Sequence, residues 1–185
     1  PATQSLANAE VELVPLVARE TRLKKALTTY LSEAASRGER FDYVIIDCPP
    51  SLGLLTINAL VAADELMIPI QCEYYSLEGL SLLLHTVTLI KEHLNPNLNL
   101  STILLTMYDG RTRLANDVAE EIRRHYPREL IDIPIPRAVR VSEAPSYGQT
   151  VMTYDPGSNG ADAYGRIARE IARRGAPTIS AAEVV

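Results

Sequence analysis

The sequence predicts an α/β fold: a doubly wound, mostly parallel sheet flanked by helices. Four continuous apolar runs, at 41–47, 66–71, 100–107 and 130–135, carry that prediction. A strand covered by helices on both faces has no solvent side and therefore loses the in–out alternation of a half-exposed strand. Helical stretches lie between these runs, and buried strands alternating with helices are the pattern of such a fold. Each run also stops abruptly in polar or proline-containing sequence.

Residues 6–36 read as helical, with Leu6, Val11, Val14, Leu16, Val17, Leu23, Leu27 and Leu31 approximating one apolar face. Pro15 has no amide hydrogen and breaks or bends this stretch, and Gly38 is a stop signal at its end. The run Phe41-Asp42-Tyr43-Val44-Ile45-Ile46-Asp47 reads as the first buried strand. A short helix over 54–63 leads to the strand at 66–71. Ser76 can cap the next helix, in which Leu77, Leu80, Leu83, Val87, Ile90 and Leu94 keep the helical period until Asn95-Pro96-Asn97 stops it. The strand at 100–107 follows. Leu114, Val118, Ile122 and Tyr126 then mark a helix ended by Pro127, and 130–135 is the fourth strand. A last helix over 161–174 places Tyr164, Ile167, Ala168, Ile171 and Ala172 on one face. The sequence is read as one domain over 1–175 and a mobile tail over 176–185, which carries little pattern.

Composition narrows the functional classes. The 185 residues are 46% apolar and 22% charged, with a net charge of −5 and a pI of about 5.3. That balance excludes a protein that coats nucleic acid with its whole surface, but not one with a local basic patch. Cys48 and Cys72 have no metal-ligand spacing and sit in apolar runs, so they are expected to be buried reduced thiols suited to a reducing cytosol. No apolar run approaches the roughly 18–20 residues of a membrane-spanning helix, and the chain is expected to be soluble with no membrane partner. His85, His93 and His125 have no partner at metal-ligand spacing. Ser142 and Ser146 show no serine–histidine–aspartate arrangement.

In doubly wound sheets ligands sit beyond the carboxyl ends of the strands, which singles out 47–51, 71–75, 107–112 and 134–145. The sharpest signal is Asp47, at the end of a hydrophobic strand. A nucleotide-triphosphatase uses such a carboxylate to hold Mg²⁺, usually through a metal-bound water, because Mg²⁺ dehydrates reluctantly. An aspartate here can equally cap the following turn. Arg111, Arg113, Arg137 and Arg140 all fall at or just after strand ends and could share one rim, and the arginine fork suits a phosphate. Arg166, Arg169, Arg173 and Arg174 could extend it, although Asp162 and Glu170 lie at helical pairing distance.

Together, Asp47-Cys48-Pro49-Pro50-Ser51, the run 69–79, Thr106-Met107-Tyr108-Asp109-Gly110-Arg111-Thr112, Ile135-Pro136-Arg137 and 141–146 resemble the ParA/Soj family of partition ATPases. Order and spacing match, and the resemblance runs over nearly the whole chain. It implies a P-loop NTPase-like fold that is incomplete at its N-terminus, with ATP and Mg²⁺ as cofactors of the intact protein. Asp47 would be the Walker B aspartate beside Mg²⁺, and Pro50 with Ser51 the switch segment that senses the γ-phosphate. Met107, Pro136 and Arg137 would flank the adenine. Arg111 and Arg140 match positions that bind DNA without sequence preference. A ParB-type partition protein, a homodimer formed with ATP, and a cytoplasmic, nucleoid-associated location are the expected company.

The chain departs from the family in one large respect. It has no Gly-rich loop followed by Lys-Thr, the element whose backbone amides and lysines hold the phosphates. No catalytic residue is therefore assigned within it, and the expectation is a piece of a longer ATPase that neither binds ATP tightly nor hydrolyses it alone. The alternatives are a non-catalytic DNA- or partner-binding module and a MinD-like cell-division ATPase. The latter would need a basic amphipathic C-terminal helix, which 179–185 does not supply.

Overall fold

A computed structural model describes residues 4–175, which divide into two compact units. The predicted tail at 176–185 lies outside the described residues. Residues 4–66 with 79–101 form the first unit, and 67–78 with 102–175 the second.

In the first unit, the predicted break at Pro15 is present. Helix α1 (Gln4–Leu13) ends before it, Ala18 turns with φ 53°, and a single 3-10 turn (Arg19–Thr21) leads into α2 (Arg22–Ser36). Helix α2 stops as Gly38 predicts. Gly38 takes φ 80° and donates to Ala35 O at 3.0 Å, while Glu39 N donates to Ala34 O at 3.0 Å. These two bonds satisfy carbonyls that a helix end otherwise leaves bare, and only glycine adopts that backbone without strain.

Helix α3 (Leu54–Ala62) is the buried centre of this unit. Two asparagines hold it. Asn58, only 3% exposed, donates through Nδ2 to Arg19 O and Leu54 O at 2.9 Å each, and its Oδ1 accepts from Leu23 N at 3.1 Å. Asn95, also buried, donates to Leu60 O at 2.9 Å and Ala63 O at 2.7 Å, satisfying carbonyls at the end of α3. Around them Leu60, Val61, Val87, Ile90 and Leu98 form an apolar cluster, the middle pair coming from helix α4 (Tyr75–His93).

One expectation fails here. The run 41–47 is neither buried nor paired with any strand among the described residues. Phe41, Tyr43 and Val44 are exposed and Ile45 is 80% exposed. The residue pattern encodes competence for a buried strand, but burial needs partners on both edges and a cover on both faces, and the described residues provide neither. Cys48 is accordingly exposed rather than buried, whereas Cys72 is buried as expected.

The second unit holds most of a three-stranded sheet of order β1-β2-β3, with β1 at Glu65–Gln71, β2 at Asn99–Thr106 and β3 at Leu130–Ile131. Strand β2 is central and its residues 102–105 are buried consecutively, as its apolar run predicts. β2 and β3 pair in parallel, with Ile103 opposite Leu130 and Leu104 opposite Ile131. β1 lies at the sheet edge and alternates toward its end, burying Ile68 and Ile70 between exposed neighbours. β3 is shorter than its predicted span. Ile133 N turns back to Ile131 O at 2.7 Å and Pro134 has no amide to offer, so pairing resumes only where Ile135 N reaches Leu105 O at 2.8 Å.

Helix α5 (Arg113–His125) starts on Thr112, whose hydroxyl accepts from Ala115 N at 3.3 Å, and buries Ala115, Val118, Ala119 and Ile122. Three short elements follow: helix α6 (Val139–Glu143), a 3-10 turn (Ala144–Tyr147) and helix α7 (Val151–Tyr154). The last helix, α8 (Asn159–Gly175), supplies Ala163 and Ile167 to a core with Leu104, Ile131 and Ile135. Arg174 ties its end to β3, donating to the carbonyls of Arg128, Glu129 and Leu130 at 3.3, 3.2 and 3.0 Å. The parallel sheet flanked by helices is the fold class the sequence predicts.

Because buried Asn58 satisfies three half-buried backbone groups at once, Asn58→Ala should destabilise the chain by about 2–3 kcal/mol. Urea unfolding of the two proteins side by side measures the difference.

Candidate functional site

The residues expected at a nucleotide site fall in different units: Asp47 and Pro50 in the first, Met107, Pro136 and Arg137 in the second. In the first, the segment 47–53 is exposed at its start and anchored at its end. Ser51 O accepts from the Thr56 hydroxyl at 2.7 Å, and the Glu10 carboxylate accepts from Leu54 N at 2.9 Å. Glu10 occupies the first turn of α3 because Gly53 leaves room: a Cβ at position 53 would lie 1.8 Å from Glu10 Oε1. A carboxylate there complements the positive end of the helix and replaces the side-chain cap that Gly53 cannot provide.

Asp47 is exposed and has no hydrogen-bond or ion-pair partner among the described residues. It does not cap the following turn. A lone unengaged carboxylate fits a Mg²⁺ ion held through water, since that ion keeps most of its hydration and takes one or two protein oxygens with substrate phosphates. The neighbouring Cys48 thiol is pushed above its ordinary range, first by desolvation and then by the Asp47 charge, so it is a poor nucleophile.

In the second unit the chain brings Met107, Pro136 and Arg137 together at the end of the sheet. Met107 takes φ 51°, a left-handed conformation unusual for a side chain of this size. This turn swings Tyr108 into a parallel bridge with Pro136, and Tyr108 N donates to Ile135 O at 3.0 Å while Arg137 N donates to Tyr108 O at 2.9 Å. The Arg137 side chain forms an ion pair with Glu73, which follows β1. The Tyr108 hydroxyl donates to Asn116 Oδ1 at 2.7 Å, fixing the ring against α5.

The two arginines expected to contact DNA are exposed, Arg111 at 89% and Arg140 at 58% of the side chain, but both are already engaged. Arg111 makes a two-pronged contact with Asp109, Nε to Oδ1 at 2.8 Å and Nη2 to Oδ2 at 2.7 Å, and its backbone N donates to Oδ1 at 3.1 Å. These bonds hold the Asp109 carboxyl down at about 2, the side-chain bond from Arg111 being the larger cause and the backbone bond the next. Arg140 Nη1 donates to Glu143 Oε2 at 3.3 Å and to the Tyr154 hydroxyl at 3.4 Å, and its Nε lies 3.9 Å from Asp155 Oδ2. Its guanidinium sits 5.8 Å from the centre of the Tyr154 ring, which stacks on Tyr147 at 5.1 Å and 18°.

Three of the four α8 arginines are engaged by carboxylates, and exposed Arg169 has no ion pair among the described residues. Arg166 pairs with Asp162 at 3.6 Å, and Arg173 and Arg174 both pair with Glu170, at 2.8 and 2.9 Å. The spacing had indicated those partners. It had not indicated Asp109, Glu143, Asp155 or Tyr154, although the i,i+2 and i,i+3 separations of the first two from their arginines carried the signal.

The chain is similar in sequence and in fold to known proteins. A family model described as an AAA domain matches residues 1–100. The sporulation initiation inhibitor protein Soj of Bacillus subtilis (strain 168) is 54% identical over 175 residues, covering 95% of this chain and 66% of Soj. The chromosome partitioning protein ParA of Myxococcus xanthus is 50% identical over 177 residues, covering 96% of this chain and 60% of its own length. Among solved structures, a cobyrinic acid a,c-diamide synthase from Mycobacterium smegmatis with bound ADP and magnesium aligns with a TM-score of 0.73 at 36% identity, covering 94% of this chain and 61% of that one. The fold and these matches define an α/β protein of the P-loop nucleotide-triphosphatase type. Within that class the chain belongs to the ParA/Soj family of partition ATPases. It spans 60–66% of the length of the two curated relatives described.

Two carboxylates are held well below their ordinary range. Asp109 moves from 3.8 to about 2 and Glu170 from 4.5 to about 2, the latter through side-chain bonds first from Arg173 and then from Arg174. A depressed folded-state value contributes stability that is present above the unfolded value and is lost as pH falls through the folded one. Asp109→Asn and Glu170→Gln should therefore flatten the loss of stability between about pH 4.5 and pH 2, as denaturant unfolding across that pH range will show.

Proposed function

We propose that this chain is the part of a chromosome- or plasmid-partitioning ATPase that senses nucleotide and touches DNA. The observation that carries this reading is its similarity to Soj and ParA over nearly its full length, since the matched span includes every post-strand segment at issue. In the intact protein ATP and Mg²⁺ would join two subunits and create a surface for non-specific DNA. A ParB-type partner would stimulate hydrolysis and so release the dimer from DNA.

The chain's own residues would divide the work as follows. The Asp47 carboxylate would accept hydrogen bonds from water on Mg²⁺, the ion supplying charge neutralisation at the phosphates. The Pro50-Ser51 segment would report the γ-phosphate by its position, because its far end is fastened to α3 through Thr56 and Glu10. The bridge between Tyr108 and Pro136 would hold Met107 and Arg137 as one side of an adenine pocket. Arg111 and Arg140 would contact DNA phosphates. No helix among the described residues is long and apolar enough to cross a bilayer. The reading of 1–175 as one part of a single ATPase domain, cytoplasmic and nucleoid-associated, belongs to the same proposal.

The test is DNA co-sedimentation of the protein as it occurs, with ATP and Mg²⁺. Arg111→Ala and Arg140→Ala should each weaken binding severalfold and lower the salt slope by up to about 0.9. Unchanged binding in both variants would remove the DNA assignment. Asp47→Ala should abolish the dependence of DNA binding on ATP, and a dependence that survives would sink its metal role.

A further inference from the structure

The post-strand arginines of the second unit share a property that the DNA reading alone does not require. Each is paired with at least one carboxylate: Arg111 with Asp109 at 2.7 Å, Arg113 with Asp117 at 3.6 Å, Arg137 with Glu73, and Arg140 with Glu143 at 3.3 Å and Asp155 at 3.9 Å. Five carboxylates offset the four cations, so these side chains carry no net positive charge toward a distant polyanion. In a chain of net charge −5 there is no general surplus of basic residues to compensate.

We propose that Asp109 and Glu143 act as charge guards, competing with DNA phosphates for Arg111 and Arg140 and thereby setting how strongly, and with what salt dependence, the rim holds nucleic acid. This inference rests on the reading of these arginines as phosphate contacts. Its physical basis is that the competing ligands are chemically alike. A phosphate takes an arginine through two parallel N–H···O bonds, and Asp109 already fills that fork through Nε and Nη2. Arg111 therefore cannot engage a phosphate through the same edge until Asp109 has let go.

The two guards differ in grip. Asp109 closes on Arg111 with two short bonds and a third from the backbone amide. Glu143 holds Arg140 by one long bond, and the Tyr154 hydroxyl, 3.4 Å from the same Glu143 oxygen, also accepts from Arg140 at 3.4 Å. Arg140 thus keeps donors to spare, and its ring contact with Tyr154 can persist while it meets a phosphate. Exposed pairs of this kind are weak enough to exchange at the protein surface, so the guards modulate binding rather than forbid it.

The experiment measures affinity for a random-sequence DNA duplex by fluorescence anisotropy over a salt series, using the protein as it occurs with ATP and Mg²⁺. Asp109→Asn and Glu143→Gln keep shape and remove charge. Each should tighten binding about two- to fivefold at low salt, since an exposed pair is worth only a modest amount. Each should also steepen the plot of log affinity against log salt by the part of about 0.9 that its arginine, shared with the carboxylate, does not contribute in the parent protein. Asp109→Glu, which keeps the charge, should stay near the parent protein; this control separates loss of charge from disturbance of the loop. If Arg111→Ala and Arg140→Ala weaken binding while the neutral variants change neither affinity nor slope, the guard role is wrong and the DNA reading stands. Weaker binding in the neutral variants also overturns it, showing that the carboxylates hold the arginines ready. If no variant of either kind changes binding, the DNA reading itself fails.

Discussion

Strand β2 is buried on both faces and bonded along both edges, and the second unit is arranged around that constraint. A backbone with no access to water must find a protein partner for every amide and carbonyl. Residues 102–105 therefore require β1 on one side and β3 on the other, and the chain must return twice through helices to supply them in parallel. Pro134 interrupts the ladder opposite, and pairing resumes where Ile135 N reaches Leu105 O. Beyond that point the left-handed turn at Met107 carries the chain to Pro136, and the candidate adenine segments become neighbours. The placement of these residues is a consequence of completing hydrogen bonds.

The first unit meets a different demand. Helix α3 is short and apolar, with unsatisfied groups at both ends, and its partners are side chains distant in sequence. Glu10 serves its start, Asn95 its end, and Asn58 fastens its middle to the entry of α2. Among the described residues, the segment after Asp47 is fastened to α3 at its far end, through Thr56 and Glu10.

Much of this was legible in the sequence, and the exceptions share a cause. The helix break at Pro15, the stop at Gly38, the strand at 99–106 and the amphipathic α5 follow from local rules about amides, glycine and periodicity. The post-strand position of Met107, Pro136 and Arg137 followed from the same rules applied to an α/β sheet. The run 41–47 was misread because apolar β-branched sequence states a capacity to be buried, while burial itself depends on what else is present. Asn58 gave no signal, since an asparagine among leucines looks unremarkable until its three distant partners are in place. Arg111 and Arg140 were found, but not their carboxylates, because charge pairing across a turn depends on side-chain direction and not on residue type.

The exposed run at 41–46 has a bearing on how this polypeptide behaves in solution. Phe41, Tyr43, Val44 and Ile45 present apolar side chains to water from a backbone that pairs with no strand among the described residues. Such a segment is a template on which another strand can add, and successive additions lead to aggregation rather than to a closed assembly. Its charges, Arg40 and Asp42 with Asp47 beyond, are the kind of flanking residues that slow such growth. The same sequence that makes a good central strand makes a hazardous edge wherever it lies uncovered.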